Sequence, residues 1–174
     1  MNIVEVITTI NRMKADGVID DYAIGGAVGA TFHLEPVSTL DVDIFVAFRH
    51  EPGSLLISPQ PIFDYLAARG FSMEGEYVMI GGWPVQFLPP TGPLVEEALV
   101  DALTLPVGDT SARVFSAEHL AAIALQVGRG KDKARLLQFI EAAVLDPDRF
   151  QAILNRHHLT ARWQDFSRLY LDEP

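Results

Sequence analysis

Asp41 and Asp43 are separated by Val42 and run into the apolar trio Ile44, Phe45 and Val46. Side chains alternate faces along an extended strand, so positions two apart point the same way. The spacing therefore sets two carboxylates side by side on one face. Two anions that close repel each other and lose hydration, so they call for a cation or a shared proton. Oxygen-only ligation suits Mg²⁺, and Mg²⁺ suits phosphate substrates. The pair points to divalent-metal phosphoryl or nucleotidyl chemistry; the plainer reading is a solvent-facing acidic pair at a strand end. Upstream, a short apolar run ends in Gly25-Gly26 before a stretch of small residues. A helix starting there offers free backbone N–H groups to a phosphate. Such a pair equally allows close helix–sheet packing.

A second group is basic. Arg129, Lys131, Lys133 and Arg135 hold four of the chain's 13 Lys and Arg residues. A charge run is usually a solvated helix end. The formal net charge of −10 makes this run stand out, and beside a nucleotide site it favours phosphate contact. Asp132, in the same run, is placed to order a helix start against its dipole. The negative field repels a polyanion over a Debye length of about 8 Å. Extended duplex nucleic acid is therefore not an expected partner, whereas a small nucleotide carried as a metal complex is. No Cys is present, which excludes disulfides, thiolate zinc sites and Cys nucleophiles. His157 and His158 are adjacent and do not share a helix face, which argues against a two-His metal site. His33 and His119 read as local hydrogen-bonding residues, and Trp83 and Trp163 as packing residues.

Elements must position these groups. A length of 174 residues fits one domain with a small appendage. Ile3, Val6, Ile7, Ile10 and Met13 predict a helix over 3–15, stopped at Gly17. Asp20-Asp21 reads as a turn before a strand over 22–24. A helix over 26–34 and a buried strand over 40–48 follow, then a loop over 50–61 and a helix over 62–69. Strands over 76–80 and 83–88 flank Gly81-Gly82, a two-residue hairpin signal. A helix over 94–101 leads to strands over 103–107 and 113–115, joined through Gly108-Asp109. Ser116 is a good N-cap for the first of four helices, broken at Gly128-Arg129-Gly130. The others cover 131–144, a segment starting at Pro147, and 160–171. The fold class is mixed α/β: an α/β core over 1–115, then a carboxy-terminal helical bundle over 116–174. No apolar stretch reaches membrane-spanning length and the first residues do not form a signal peptide. A membrane is not an expected partner, and cytoplasmic residence follows by default.

Gly25-Gly26 at a helix start, followed by Asp41-Val42-Asp43 on the next strand, resembles the nucleotidyltransferase fold of polymerase-beta-like enzymes. Residues 119–142, with Gly128-Arg129-Gly130-Lys131-Asp132, are similar to the helices of a narrower branch that includes abortive-infection-type toxin nucleotidyltransferases, members of toxin–antitoxin pairs. The resemblance covers roughly residues 3–145. It implies Mg²⁺-dependent transfer of a nucleoside monophosphate from a nucleoside triphosphate to a hydroxyl of RNA, protein or a small molecule. It implies that Asp41 and Asp43 hold the metal, and that Gly25, Gly26, Thr39 and Lys131 hold the nucleotide. Two departures count against full activity. The family's third carboxylate falls at Gln86, which carries no charge and is no general base; Glu74 or Glu76 is the available substitute. The family's Arg two residues before Thr39 is Val37. The alternative is therefore a degenerate module that binds a nucleotide or a protein partner without catalysis.

Overall fold

The computed structural model describes residues 1–35, 39–48 and 58–171. Val37 and most of the expected loop over 50–61 lie outside them. The strand β2, Val42–Phe48, carries the alternation that organises the molecule. Val42, Ile44 and Val46 are fully buried on one face, while Asp43, Phe45 and Ala47 turn to the other. The aliphatic face is covered by α1, Ile3–Ala15, and α3, Gln60–Ala67, through Val6, Ile7, Ile10, Ile62 and Leu66. Burying each such side chain stabilises the fold by about 1.5–3 kcal/mol. Asn2 caps α1 by accepting a hydrogen bond from the Glu5 amide at 3.3 Å, which satisfies one of the helix's unpaired donors.

The chain then reverses at Gly17, whose φ is +73°. Asp20 and Asp21 do not form the expected turn. Both lie inside β1, Ile19–Ile24. Gly17 has already made the reversal, and Asp21 is held in the strand by Lys14 at 2.8 Å and Arg113 at 3.2 Å. The helix expected over 26–34 is only α2, Gly26–Ala30. It ends where Thr31 Oγ1 donates to the Val28 carbonyl at 2.7 Å, a side-chain bond that competes with the helical ladder. Leu40 and Asp41 lead into β2 without belonging to it.

The remaining strands are β3, Ser72–Glu74; β4, Tyr77–Ile80; β5, Trp83–Leu88; β6, Leu103–Val107; and β7, Thr110–Val114. The sheet order is β3-β4-β5-β2-β1-β7-β6. β2 runs parallel to β5 and β1 parallel to β7, and the other pairs are antiparallel. Gly81 and Gly82 make the expected hairpin, with φ of +58° and +78°, the double positive φ that a two-residue turn demands. β3 is not foreshadowed in the sequence, because all three of its residues are exposed and show no alternation. Glu76, expected within the following strand, sits in the turn before it. β3 and β6 are the sheet's two edges, and β6 carries Pro106 in mid-strand.

The second sheet face meets α4, Pro93–Val100, and four further helices build outward around α5, Ala117–Val127: α5 itself, α6, Gly130–Glu141, α7, Pro147–Arg156, and α8, Thr160–Tyr170. Ser116 caps α5 by accepting from the His119 amide at 3.2 Å, and Gly128 ends it with φ +70°. Asp146 caps α7 by accepting from the Arg149 amide at 3.0 Å, with Pro147 in its first turn. Helix α6 stops three residues short of the expected 144, as the chain turns through Ala143 at φ +52°. Leu120, Leu136, Phe139, Phe150 and Ile153 fill the core between these helices. Trp163 packs edge-on against Phe150, with ring centroids 5.2 Å apart, and stacks on Phe166 at 5.9 Å.

Candidate active site

The Gly pair works by removing side chains. Gly25 donates its amide to the Asp43 carbonyl at 3.0 Å. A Cβ at Gly25 would meet the Phe45 ring at 2.5 Å, and one at Gly26 would run into the Asp43 carboxylate. Gly26 also has φ +57°, a conformation other residues adopt at a cost. The turn therefore lies directly against β2, and Asp43 faces the start of α2. Just ahead of β2, Thr39 Oγ1 donates to the Asp41 carbonyl at 3.1 Å, so Thr39 braces the acidic segment from behind.

Asp41 and Asp43 open into a cavity of about 930 Å³. Its floor is the second sheet face. The parallel β2–β5 register places Gln86 opposite Asp43, and Val85 and Phe87 turn to the aliphatic core. Tyr77 and Glu74, paired across β4 and β3, extend the same lining towards the sheet edge. The opposite wall is apolar, with Leu120, Ile123, Ala124 and Val127 of α5. Beyond it stand Arg129, Lys131 and Arg135. Lys133 turns away, and its Nζ donates to the Tyr170 hydroxyl at 3.5 Å.

Electrostatics ties the two sides together. Burial pushes the Asp43 carboxyl above its usual range, and the Asp41 charge pushes it further; Lys131, Arg135 and Arg129 pull it back. Arg129 is engaged by the buried Asp132, whose carboxylate accepts from its Nε at 2.7 Å and from its backbone N–H at 3.3 Å. Asp132 thus orders the start of α6, as its position suggests. Neither Lys131 nor Arg135 forms an ion pair with a described residue, and neither does Asp41 or Asp43. Gln86 Nε2 donates to Glu76 Oε2 at 2.9 Å.

The structure brings together Gly26, Thr39, Asp41, Asp43, Gln86 and Lys131 around one cleft, and Gly25 lies behind it against the Phe45 and Phe115 rings. Sequence reasoning passed over Tyr77. The Gly81-Gly82 turn carried the signal: counting outward from Ile80 and Trp83 sets Tyr77 opposite Gln86.

A second polar cluster lies between α4, α5 and α7. Glu97 accepts from Arg156 Nη2 at 2.6 Å and Nε at 3.2 Å, and meets His157 Nε2 at 2.7 Å and His119 Nε2 at 3.2 Å. The other ring nitrogen of His119 meets Ser116 Oγ at 2.8 Å. The Arg156 bonds, opposed by desolvation and helped by both histidines, hold the Glu97 carboxyl down at about 2. Burial lowers His119, and the Glu97 carboxylate opposes this. With Asp101, Glu97 and His119 form the one set of three acidic or histidine side chains, among the described residues, whose ligand atoms lie within 4.8 Å of one another. His33 Nε2 meets the Phe115 carbonyl at 2.8 Å, the local role expected of it. No described helix is long and apolar enough to cross a membrane.

No protein-family model and no curated protein sequence matches the chain. Solved structures do. An antigenic nucleotidyltransferase-like protein from Paracoccidioides brasiliensis superposes with a TM-score of 0.61 at 17% identity, over 94% of this chain and 89% of that one. ANT(2")-Ia, in a complex with adenylyl-2"-tobramycin, superposes with a TM-score of 0.52 at 13% identity, over 91% of this chain and 97% of its own. The likeness to the toxin branch rests on residues 119–142 alone. The chain has the nucleotidyltransferase-like fold.

Proposed function

We propose that this protein is a nucleotidyltransferase that moves a nucleoside monophosphate from a nucleoside triphosphate to a hydroxyl. One observation carries the reading: acidic and basic side chains without ion pairs among the described residues are gathered on opposite sides of a single cleft, around Asp43. The donors fit a hard divalent cation. Asp41 and Asp43 supply carboxylate oxygens, Gly26 leaves the Asp43 carboxylate uncovered, and burial plus mutual repulsion makes a cation favourable there. Mg²⁺ held by the two aspartates would neutralise phosphate charge and polarise the attacked phosphorus.

The chain's own residues do the rest. Lys131 and Arg135 attract the triphosphate and Arg129 flanks it. The apolar α5 wall excludes water from one side of the cleft, which strengthens every charge inside it. Residues 1–115 form the core that carries the aspartates, and residues 116–174 are a helical region that supplies the basic side. The solved neighbour that holds an adenylylated aminoglycoside supports a small-molecule acceptor as readily as RNA or protein. Triphosphates abound in the cytoplasm, the compartment this reading fits.

A second reading is a binding module without catalysis. Gln86 favours it, because an amide stands opposite Asp43 where the family resemblance implies a carboxylate. Incubating the protein and Mg²⁺ with labelled triphosphates, total cell RNA, cell protein and a small-molecule extract separates the two. The enzyme reading expects label on an acceptor and pyrophosphate in solution. Triphosphate binding without release of pyrophosphate selects the second reading.

A further inference from the structure

Among the described residues two hydroxyls line the Asp43 cleft, those of Thr39 and Tyr77. The Thr39 hydroxyl is engaged on the Asp41 carbonyl at 3.1 Å. The Tyr77 hydroxyl has no hydrogen-bond partner among the described residues. In this it differs from the chain's three other tyrosines. Tyr22 Oη donates to Asn11 Oδ1 at 2.8 Å, Tyr65 Oη donates to Asp16 Oδ2 at 2.6 Å, and Tyr170 Oη accepts from Lys133 Nζ at 3.5 Å.

The sheet sets this free hydroxyl in line with the aspartates. Val78 and Ile80 of β4 are buried in the aliphatic core, so Tyr77 and Met79 turn to the cleft. Asp43 pairs with Gln86 across β2 and β5, and the pairing of Val78 with Val85 carries Tyr77 to the other side of Gln86. Asp43, Gln86 and Tyr77 thus form one row, spanning two strand spacings, or about 10 Å at roughly 4.8 Å each. A tyrosine side chain laid along that row covers most of the span. Gln86, between the two, donates its amide to Glu76 Oε2 at 2.9 Å and not to the phenol. Desolvation first, then the Asp41, Glu76 and Asp43 charges push the phenol above its usual range. The phenol and both aspartates therefore share one stretch of the cleft.

We propose that Tyr77 is a site of self-modification, where the chain transfers a nucleoside monophosphate onto its own hydroxyl. This rests on the transferase reading above and adds an acceptor carried inside the cleft. Tyr77 Oη bonds to the α-phosphorus of the triphosphate as the bond from that phosphorus to the pyrophosphate oxygen breaks. Pyrophosphate leaves with the electron pair, and the phenolic proton passes to water in the open cleft. A neutral phenol is a weak nucleophile, but holding it beside the phosphate replaces an encounter in solution with a fixed approach. The product is a phosphodiester that stays in the cleft, so each chain reacts once.

The test incubates the protein with Mg²⁺ and each of the four nucleoside triphosphates, first with no acceptor added and then with the mixed cell acceptors. Intact mass, pyrophosphate release and peptide mapping are the readouts. Without acceptor, the wild type should gain one nucleoside monophosphate per chain, mapped to Tyr77, and release should stop at one pyrophosphate per chain. The rate should not change on dilution of the protein, as an intramolecular step requires. Tyr77→Phe keeps the ring and should melt with the wild type, yet gain no mass. Tyr65→Phe, at a tyrosine outside the cleft, should label as the wild type does. Transfer to added acceptors with no gain in the protein's own mass overturns the assignment and leaves the transferase reading intact. Label on another residue, label retained by Tyr77→Phe, or a rate that falls on dilution overturns it equally. A wild type that releases no pyrophosphate under either condition fails both readings.

Discussion

The Asp43 cleft and the Glu97 junction use the same kinds of side chain to opposite ends. At the junction the Glu97 charge is answered. Glu97 takes both guanidinium bonds of Arg156 and meets two imidazoles, and His119 is tied to Ser116 on its other side. In the cleft, Asp41 and Asp43 repel each other at the start of β2, and Lys131 and Arg135 stand without ion pairs among the described residues. A satisfied cluster has little left to offer a ligand, whereas an unsatisfied one lowers its free energy by binding something. On the transferase reading proposed above, this difference favours Asp41 and Asp43 over Glu97, Asp101 and His119 as metal ligands. A cation there would compete with a guanidinium already seated on Glu97.

The largest expected effect lies in the cleft. Replacing both aspartates, Asp41→Asn with Asp43→Asn, should weaken Mg²⁺-dependent triphosphate binding by about 100-fold or more, because the cation loses its charged ligands. The apo protein should melt no lower, since like-charge repulsion is relieved. Calorimetry and thermal melting read the two halves of this prediction. Undiminished binding would place the nucleotide elsewhere and erase the contrast between the two clusters.

At the junction the same operation should do the reverse. Glu97→Ala strands Arg156 and two histidines at a helix contact, and should cost about 2–3 kcal/mol of stability by chemical denaturation. Triphosphate affinity of the folded fraction should not change. Acid titration sharpens the point. Glu97 is depressed to about 2 from an ordinary value of 4.5, so its contribution is present above that ordinary value and is lost as pH falls towards about 2. Asp43 is raised from 3.8, so it contributes the opposite slope: stability falls as pH rises through the range between its unfolded and folded values. Comparing each variant's melting temperature against pH with the wild type's should reveal the two opposite slopes.

The smallest effect belongs to the basic side. Lys131→Ala should weaken triphosphate binding by about three- to tenfold, and the loss should shrink at high salt as surface charges are screened. An equal loss at all salt concentrations would show that Lys131 makes a desolvated contact.

Much of the cleft was legible because its logic is local. Asp41 and Asp43 are two apart, Val42, Ile44 and Val46 mark the opposite face, and Gly25-Gly26 announces a turn that tolerates no side chain. Ser116, Gly128 and Pro147 likewise gave helix ends through short-range chemistry. What escaped was non-local. Glu97 meets Arg156 across 59 positions of sequence, and nothing near either residue signals the partner. The Glu76–Gln86 contact depended on β3, whose exposed residues show no alternation, so the direction of the Glu76 side chain could not be read. The short α2 was misjudged because Thr31 turned its hydroxyl onto the backbone, a choice that small-residue composition conceals.

The two edges of the sheet set how the protein can meet others of its kind. β3 is three residues long and β6 is interrupted by Pro106, which has no N–H to give. Neither presents the long row of unsatisfied backbone groups that invites another chain to add a strand. Growth of the sheet from molecule to molecule, the first step towards fibrous aggregation, is thereby obstructed at both ends.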